Sequence, residues 1–293
     1  MPLICIKLQI AVSPVTKEIT STSVISPWRR RLFGCFLVAW SLINPAVRAQ
    51  SVLYVADGDH NSMQAIDTTT GHILYSTVTS QLNSEPGYLL AVRNTLWLGY
   101  RDHSGVAVEY NPITGAVTGN SVLNPGVYWS QAADGTASAT NNFTLIDFSS
   151  TTTIYKTNMD WTNPVALFTL TDLPGSAVGI TYDSAVNTLW ITAGGYFQQY
   201  SLSGTLISQF DATNGYGGLA YQASTDSLWF VPNNSSQPLQ QYSTSGVLLS
   251  TLNVTGRSSN AFGAEFQAVP EPATLALLGL GLVTLILIRR RRA

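Results

Sequence analysis

The sequence predicts an all-β protein, a five-bladed β-propeller whose last strand completes the first blade, between an N-terminal signal helix and a C-terminal transmembrane helix. Three observations predict the propeller. A strand-like segment recurs five times, and most copies are followed by the same turn. The first copy lacks the β-prone run that precedes the others, and an additional run of this kind stands at the end of the repeated region. Repeated sheets of this length that stack side by side are typical of propeller blades.

The recurring segment is short, apolar and rich in β-branched and aromatic residues, as strands are. Successive copies start 43, 47, 46 and 39 residues apart. The copies are LYVADG from Leu53, LWLGY from Leu96, FTLIDF from Phe143, LWITAG from Leu189 and LWFVPN from Leu228. This period is too long for one rung of a β-helix. A β-sandwich stays an alternative, although it gives no reason for five similar units.

Four of the copies are followed by a tight turn that ends in Thr-Gly or Ser-Gly. Glycine supplies the positive φ that such hairpin turns need. The turn glycines are Gly71, Gly115, Gly204 and Gly246, and a further β-prone run follows each one. The third unit lacks this signature between residues 147 and 170, so we expect less regular turns there.

The two ends of the repeated region complement each other. A short β-prone run precedes each of the last four strand copies, but none precedes the first copy at Leu53. A fifth such run, NAFGAEFQAV from Asn260 to Val269, has no strand copy after it. We therefore predict that the last strand, around Phe262–Gln267, pairs with Val52–Ala56 and closes the ring within residues 50–268.

Five tryptophans lie in the predicted body, and three of them occupy the same place in the recurring strand. They are Trp97, Trp129, Trp161, Trp190 and Trp229. Because apolar neighbours alternate with them along the strand, we interpret them as packing between blades, each ring burying roughly 150–250 Å². A ring of platforms for stacking sugars is the alternative interpretation.

The predicted body is acidic and contains no cysteine. Residues 50–268 contain four basic and fourteen acidic residues, whereas the whole chain has a formal net charge of −2. An acidic body excludes nucleic acid as a partner, because phosphate binding requires a positive patch. Both cysteines, Cys5 and Cys35, precede the body, so we predict no disulfide, thiolate metal site or cysteine nucleophile in the mature protein.

Residues 29–49 have the composition of a secretory signal peptide. Arg29–Arg31 provide the basic region, and the mostly apolar stretch Leu32–Ile43 is too short to span a bilayer. The small residue Ala49 then predicts cleavage before Gln50 by the general secretion machinery. Residues 1–28 add nothing to this signal and are either an unusually long basic region or the product of an upstream start codon.

The C-terminal end has the composition of a membrane helix followed by a cytoplasmic stop. Residues 273–288 contain no charge, and as a helix they would extend about 24 Å at about 1.5 Å per residue. Four arginines follow, Arg289, Arg290, Arg291 and Arg292, and they would stay on the cytoplasmic side. The body would then lie outside the cytoplasm.

The last 25 residues carry three features in a fixed order. Val269, Pro270, Glu271 and Pro272 come first, a glycine-containing apolar segment follows, and the arginine cluster ends the chain. Residues 269–293 resemble the PEP-CTERM sorting signal, also catalogued as the ice-binding protein C-terminal domain. The resemblance implies recognition by an exosortase, a membrane-embedded transpeptidase, and delivery of the body to the cell surface or the exopolysaccharide matrix.

The first repeat unit also carries a resemblance. Residues 53–74, LYVADGDHNSMQAIDTTTGHIL, resemble propeller repeats of the NHL and YVTN types. Propellers of these types include lactonases, lyases, ligand-binding proteins and scaffolds, so the resemblance implies the fold and leaves the activity open.

One segment has the spacing of a metal site. Asp57, Asp59 and Asn61 alternate as oxygen ligands of Ca²⁺ do, although Ser62 and Thr68 stand where an EF-hand needs glycine and a carboxylate. The other interpretation is a polar surface turn. Two functions therefore stay open. One is a non-enzymatic binding or scaffold module, for which polysaccharide is a candidate partner; the other is a Ca²⁺-dependent propeller hydrolase or lactonase.

Overall fold

The computed structural model describes most of the predicted body. The described residues are 51–57, 62–78, 87–100, 106–123, 132–148, 151–171, 173–211, 216–259 and 261–267. All of them belong to one compact unit, Pro45–Ala293. The predicted signal peptide, the sorting signal and residues 273–288 lie outside the described residues. Within the described ranges, no helix is long and apolar enough to cross a membrane.

The described residues form twenty strands. These are β1 (Val52–Asp57), β2 (Ser62–Asp67), β3 (Ile73–Val78), β4 (Gly87–Val92), β5 (Leu96–Tyr100), β6 (Val106–Tyr110), β7 (Val117–Leu123), β8 (Ala132–Ala137), β9 (Asn141–Phe148), β10 (Thr151–Asn158), β11 (Val165–Leu170), β12 (Ala177–Asp183), β13 (Thr188–Ala193), β14 (Tyr196–Ser201), β15 (Leu206–Asp211), β16 (Gly217–Gln222), β17 (Ser227–Pro232), β18 (Leu239–Ser243), β19 (Leu248–Leu252) and β20 (Ala261–Phe266).

The strands form five antiparallel sheets of four strands each, which confirms the predicted five-bladed propeller. Blades 2 to 5 use consecutive strands: β4 to β7, β8 to β11, β12 to β15 and β16 to β19. Blade 1 has the order β20-β1-β2-β3, so the last strand completes the first blade as predicted. Leu53 lies opposite Phe266, and Tyr54 lies opposite Glu265. The inner strands β20, β4, β8, β12 and β16 pack against one another in that order around the axis.

The described part of the inner strand of blade 3 overlaps only the end of the run in which we expected it. That run is PGVYWSQAA, from Pro125 to Ala133, whereas β8 spans Ala132–Ala137 and residues 124–131 lie outside the described residues. The run AADGTA replaces the aromatic and β-branched residues of a typical strand with small and polar ones, which is why the pattern missed it.

Each turn glycine packs against the preceding blade, which explains the repeated Thr/Ser-Gly signature. Gly204 and Gly246 have φ of 83° and 88°, and a Cβ on either would lie 2.7 Å from a phenylalanine of the outer strand before it. Those phenylalanines are Phe168 for Gly204 and Phe210 for Gly246. Gly71 meets Leu252 of blade 5 in the same way, so this contact also crosses the closure of the ring.

Blade 3 breaks the signature because its turn carries a large side chain. Trp161 has φ of 65°, and its N–H donates to the Asn158 carbonyl at 3.0 Å, as Gly204 does to Ser201 at the same distance. The outer strand of blade 2 contains no aromatic residue. The Trp161 ring instead packs edge-on against Trp97 of blade 2, with centroids 6.0 Å apart. Trp161, in the turn of blade 3, thus provides the aromatic contact for which the outer strand of blade 2 has no residue.

Candidate functional site

Five equivalent positions on the inner strands meet near the propeller axis. Each lies opposite the aromatic residue of the second strand of its blade, and each is at most 5 % exposed. We call these positions the axial ladder; they are Ala91, Thr136, Thr181, Ala220 and Glu265.

Glu265 reaches from blade 1 toward the two blades that are not its neighbours. The Thr181 hydroxyl of blade 4 lies 3.2 Å from each carboxylate oxygen and donates to them. The Thr136 side chain of blade 3 also hydrogen-bonds this carboxyl group. The Tyr221 backbone N–H of blade 5 donates to the Thr181 hydroxyl at 2.9 Å. The neighbouring blades carry alanine at the same ladder position, and those small side chains leave room for the longer glutamate.

Asp134 is the second carboxylate near the axis, and it lies two residues before Thr136 on β8. Its Oδ1 accepts a hydrogen bond from the Gly135 N–H at 2.8 Å, and its Oδ2 accepts one from the Ile180 N–H at 3.0 Å. A third backbone donor is the Leu219 N–H of blade 5. Asp134 is completely buried. We call Asp134 and Glu265 the axial pair.

Glycines make the space that Asp134 occupies. Gly179, Gly218 and Gly263 stand two residues before the ladder position in their own strands, as Asp134 does in β8. A Cβ at Gly263 would lie 2.6 Å from Asp134 Oδ1 and 2.9 Å from the Leu89 nitrogen. The carboxylate therefore fits only because β20, the inner strand of the non-adjacent blade 1, has no side chain at this level.

The axial pair holds protons that exposed carboxylates would lose. Burial raises the pKa of Glu265 to about 8, although hydrogen bonds from Thr136 and the Phe266 N–H oppose the shift. Burial also raises the pKa of Asp134 well above its usual range, and the nearby charge of Glu265 raises it further. Two carboxylates in one buried space cannot both ionise without a large cost. The pair therefore retains at least one proton at neutral pH.

The geometry of the axial pair indicates a structural role, in which its hydrogen bonds hold different blades together. A general acid or nucleophile must come within hydrogen-bond reach of its substrate. Asp134 is completely buried and Glu265 is 5 % exposed, and both are engaged with backbone N–H groups and threonine hydroxyls of other blades. These bonds join blades 1, 3, 4 and 5 at the axis.

The predicted calcium ligands are only partly within the described residues. The backbone of Asp57 ends β1 opposite Ser62, whereas Asp59 and Asn61 lie outside the described residues, as does the Asp57 side chain. Over the part of the chain that the structure describes, no group of three or more His, Cys, Asp or Glu could hold a metal ion. The Ca²⁺ site at Asp57, Asp59 and Asn61 stays a prediction.

The described tryptophans pack inside the ring, which confirms the packing interpretation for them. Trp161, Trp190 and Trp229 are at most 4 % exposed, and Trp97 is half-buried against Trp161. The indole N–H groups of Trp190 and Trp229 donate to Asp183 and Gln222 of their inner strands. Trp129 lies outside the described residues.

A ring of aromatic platforms for stacking sugars, the alternative interpretation of the tryptophans, does not occur on the described surface. Among the large hydrophobic side chains exposed there, Tyr216 is the single aromatic one, and it is 46 % exposed.

Sequence reasoning missed the axial pair. Neither Glu265 nor Asp134 is among the candidate site residues that the sequence pattern indicates. The available signal was the alignment of the inner strands. Thr136 and Thr181 are 45 residues apart, and Glu265 follows Thr181 after nearly twice that distance. That alignment places Asp134 level with three glycines, which indicates a side chain that fills a shared space.

The predicted sorting and cleavage residues all lie outside the described residues. They are Ala49, Gln50, Val269, Pro270, Glu271, Pro272, Arg289, Arg290, Arg291 and Arg292. Their individual roles stay predictions.

Comparison with known proteins bears on the fold and on the C-terminal motif. One solved chain with a similar fold is from the crystal structure of a nidogen/laminin complex, with 11 % identity and a TM-score of 0.52, covering 74 % of this chain and 80 % of that one. Another is the β-propeller domain of Cps50 (Swd1) from Myceliophteria thermophila, with 11 % identity and a TM-score of 0.40, covering 67 % and 62 %. At this identity the first similarity shows the fold alone. A search of curated proteins returned no match.

Residues 268–292 match the family model of the PEP-CTERM protein-sorting motif. This match confirms the resemblance drawn from the sequence and implies an exported protein that an exosortase processes. The chain is thus a five-bladed β-propeller followed by a PEP-CTERM sorting motif.

Proposed function

We propose that this protein is a non-enzymatic module that is exported, sorted by an exosortase and displayed at the cell surface or in the exopolysaccharide matrix. The matched sorting motif at residues 268–292, directly after the last propeller strand, carries the sorting part of the proposal. The whole body up to Phe266 would therefore be delivered as one folded unit.

The route follows from the two ends of the chain. Residues 29–49 direct the chain to the general secretion machinery, and cleavage falls between Ala49 and Gln50. Residues 273–288 then hold the precursor in the inner membrane, with the four arginines on the cytoplasmic side. The exosortase recognises the segment Val269–Pro272, where two prolines prevent helix formation and keep the chain extended.

The axial pair supports a non-enzymatic role for the body. The buried acidic groups at the axis, Asp134 and Glu265, accept hydrogen bonds from their own strands and from other blades. They stabilise the ring and are out of a substrate's reach. The propeller then serves as a rigid platform for binding, and its function lies on its outer surface.

The surface chemistry favours a neutral or weakly charged partner. The predicted body carries fourteen acidic and four basic residues, and much of its remaining surface is threonine, serine, asparagine and glutamine. Strongly acidic polymers would be repelled, whereas sugar hydroxyls can bond to exposed amides and hydroxyls. A neutral exopolysaccharide is therefore the partner that we propose.

Matched charge-neutral variants test the sorting proposal. Glu271→Gln changes the sorting motif, and Glu265→Gln makes the same change six residues earlier, inside the body. In cells that contain the exosortase, we expect the full chain with Glu271→Gln to accumulate as an unprocessed membrane precursor, and Glu265→Gln to be processed as the natural chain is. Cell fractionation and intact-mass measurement read the outcome. Equal processing of both variants, or unchanged processing after deletion of the exosortase, would contradict the proposal.

Binding of the purified protein to the polysaccharide of the producing cells tests the role of the body. We expect the protein to co-sediment with the neutral polymer. A Glu265→Gln variant should co-sediment equally well, because Glu265 is buried. Hydrolysis of the polymer, measured as new reducing ends and lost in that variant, would instead identify an enzyme.

A further inference from the structure

Both ends of the propeller leave the ring on the same face. The last inner strand, β20, ends at Phe266, and this residue lies opposite Leu53 near the start of β1. The Ser51 carbonyl, directly before β1, accepts hydrogen bonds from the Thr68 N–H at 2.8 Å and from the Thr68 hydroxyl at 2.9 Å. Thr68 belongs to the turn that ends in Gly71. We call the face that holds this turn and its equivalents in the other blades the turn face.

The other inner strands also run toward the turn face. The N–H groups of Ile180 and Tyr182, two residues apart on β12, donate to Asp134 and Thr136, two residues apart on β8, so these strands run in the same direction. The same steps relate β12 to β16 and β8 to β20. The end of β4 lies beside the end of β8, because Arg93 donates to the carbonyl group directly after β8. The turns after the inner strands and those before the outer strands therefore all lie on the turn face.

The exposed apolar side chains of the described residues gather at the turn face. Blades 2 to 5 each carry one in or directly after such a turn, exposed by 50 % to 84 %: Ile113, Met159, Val186 and Val247. Others stand at the first or second position of an outer strand, next to this face: Leu74, Val117, Val165, Leu206, Ile207, Leu248 and Leu249. At the opposite end of the described strands, the large apolar side chains that are exposed are Val78 and Tyr216. Apolar surface concentrated on one side in this way indicates contact with an apolar partner.

We propose that the turn face rests on the lipid bilayer while residues 273–288 anchor the precursor, so that its exposed apolar side chains enter the headgroup layer. This inference rests on the anchoring that is part of the proposed function. Residues 267–272 are the six that separate β20 from the anchor. At roughly 3.3–3.6 Å per residue they extend at most about 20 Å. The chain's own anchor therefore keeps the bilayer beside this face.

Charge determines which lipid suits the turn face. Burying exposed aliphatic side chains is favourable whatever the charge of the headgroups. Asp160 and Asp226 are exposed in turns of this face, and they repel anionic headgroups. We therefore expect the face to prefer zwitterionic lipid. The opposite face then points away from the bilayer, and a polymer outside the cell meets the body there.

Blade 5 supplies a matched pair of positions for the test. Ser245 is exposed in the turn between β18 and β19, on the turn face. Ser236 is exposed in the connection between β17 and β18, at the opposite end of β18. The five residues of β18 separate the two positions by roughly 17 Å, at about 3.3 Å per residue. A label on either serine therefore reports how close its face lies to the bilayer.

The first experiment measures which face contacts the lipid. The full chain, with Cys5 and Cys35 replaced by serine, carries a fluorescent label at Ser245→Cys or at Ser236→Cys. It is reconstituted into phosphatidylcholine vesicles that contain a lipid with a quencher on its headgroup. We expect quenching at position 245 to be several-fold stronger than at position 236. If the chain floats with the vesicles and quenching at 236 is equal or stronger, this proposal alone is overturned; a chain that does not float overturns the anchoring as well.

The second experiment tests whether the apolar side chains hold the turn face on the bilayer. In the labelled Ser245→Cys chain, we expect Ile113→Gln together with Val186→Gln to lower the quenching toward the value at position 236. Val78→Gln, a matched change at the opposite end of the strands, should leave it unchanged. Circular dichroism and thermal melting verify that the variants fold.

Replacing part of the lipid with anionic phosphatidylglycerol should also lower the quenching at position 245, because the exposed acidic residues of the turn face repel it. Quenching that the turn-face changes do not alter would mean that the body is tethered without contact. Quenching that rises on anionic lipid would mean that the contact is electrostatic. Either result would overturn the proposal.

Discussion

Glu265 shows how one side chain can join several blades. Its neighbours on the axial ladder are Ala91 and Ala220, whose small side chains leave the axis open for a carboxyl group. The two opposite blades carry threonines there, and these hydroxyls hydrogen-bond the carboxyl group. The residue therefore contributes bonds that cross the ring, in addition to the strand pairing within its own blade.

The first prediction concerns the pH dependence of stability. The pKa of Glu265 is about 8 in the folded protein and near 4.5 without burial, so the folded state binds more protons than the unfolded state between these values. The free energy of unfolding should therefore fall as pH rises through this range, by up to about 1.4 kcal/mol per pH unit for one proton. Glu265→Gln cannot ionise, and we expect a flatter profile in urea unfolding from pH 5 to pH 9.

Glu109 provides the control for that measurement. Burial raises its pKa, but hydrogen bonds from Thr118 and Asn120 outweigh burial and bring the pKa below its usual value. Glu109→Gln should therefore leave the slope above pH 5 unchanged. A slope that is the same in the natural chain and in Glu265→Gln would show that the axial carboxyl group is ionised in the folded protein.

The second prediction concerns Trp161, which combines a buried ring with a positive φ of 65°. Removing the ring should cost about 3–5 kcal/mol of unfolding free energy. Alanine keeps the strained backbone and glycine relieves it, so we expect Trp161→Gly to be more stable than Trp161→Ala by about 1 kcal/mol. Urea unfolding of the two variants gives the difference. The opposite order would mean that this turn changes conformation once the ring is lost.

At the scale of the element, the turn between the third and fourth strands of a blade joins two blades. Gly246 needs its positive φ for the hairpin and its missing Cβ for contact with Phe210 of blade 4. The sequence revealed the first requirement, because a Ser-Gly pair before a β-prone run indicates a turn. It could not reveal the second, because contact between blades depends on how neighbouring sheets stack.

The third prediction separates these two requirements. Gly246 and Gly119 have φ of 88° and 92°, but a Cβ at Gly246 would lie 2.7 Å from Phe210 Cγ, whereas a Cβ at Gly119 would meet nothing within 4 Å. Gly119→Ala should cost about 1–2 kcal/mol for backbone strain alone. Gly246→Ala should cost about 1–3 kcal/mol more, because the methyl group overpacks the contact between blades. Thermal and urea unfolding of the two variants check this, and equal losses would mean that Phe210 moves away without cost.

At the scale of the molecule, the sequence predicted the number of blades from five recurring strand segments, and the closure from the complementary ends of the repeated region. It did not predict the axial pair. Asp134 lies in AADGTA, a run without the usual strand residues, and its contacts with Ile180 and Leu219 join segments far apart in the chain. Such contacts depend on the closed ring, so the sequence of any single repeat gives only a weak indication of them.

The fourth prediction tests that closure with two chains that differ by one strand. Residues 50–267 keep β20, whereas residues 50–259 lose it and with it Glu265, Ala264 and the buried ring of Phe266. Losing one large buried ring costs about 3–5 kcal/mol of unfolding free energy. Losing the whole strand should cost more than the roughly 5–15 kcal/mol that stabilise a domain. We expect a single cooperative urea transition for the longer chain and none for the shorter one. A synthetic peptide of residues 260–268 should restore the transition by pairing with β1, since Leu53 and Tyr54 lie opposite Phe266 and Glu265. A cooperative transition of the shorter chain without the peptide would show that four complete blades and an open fifth are enough to hold the ring.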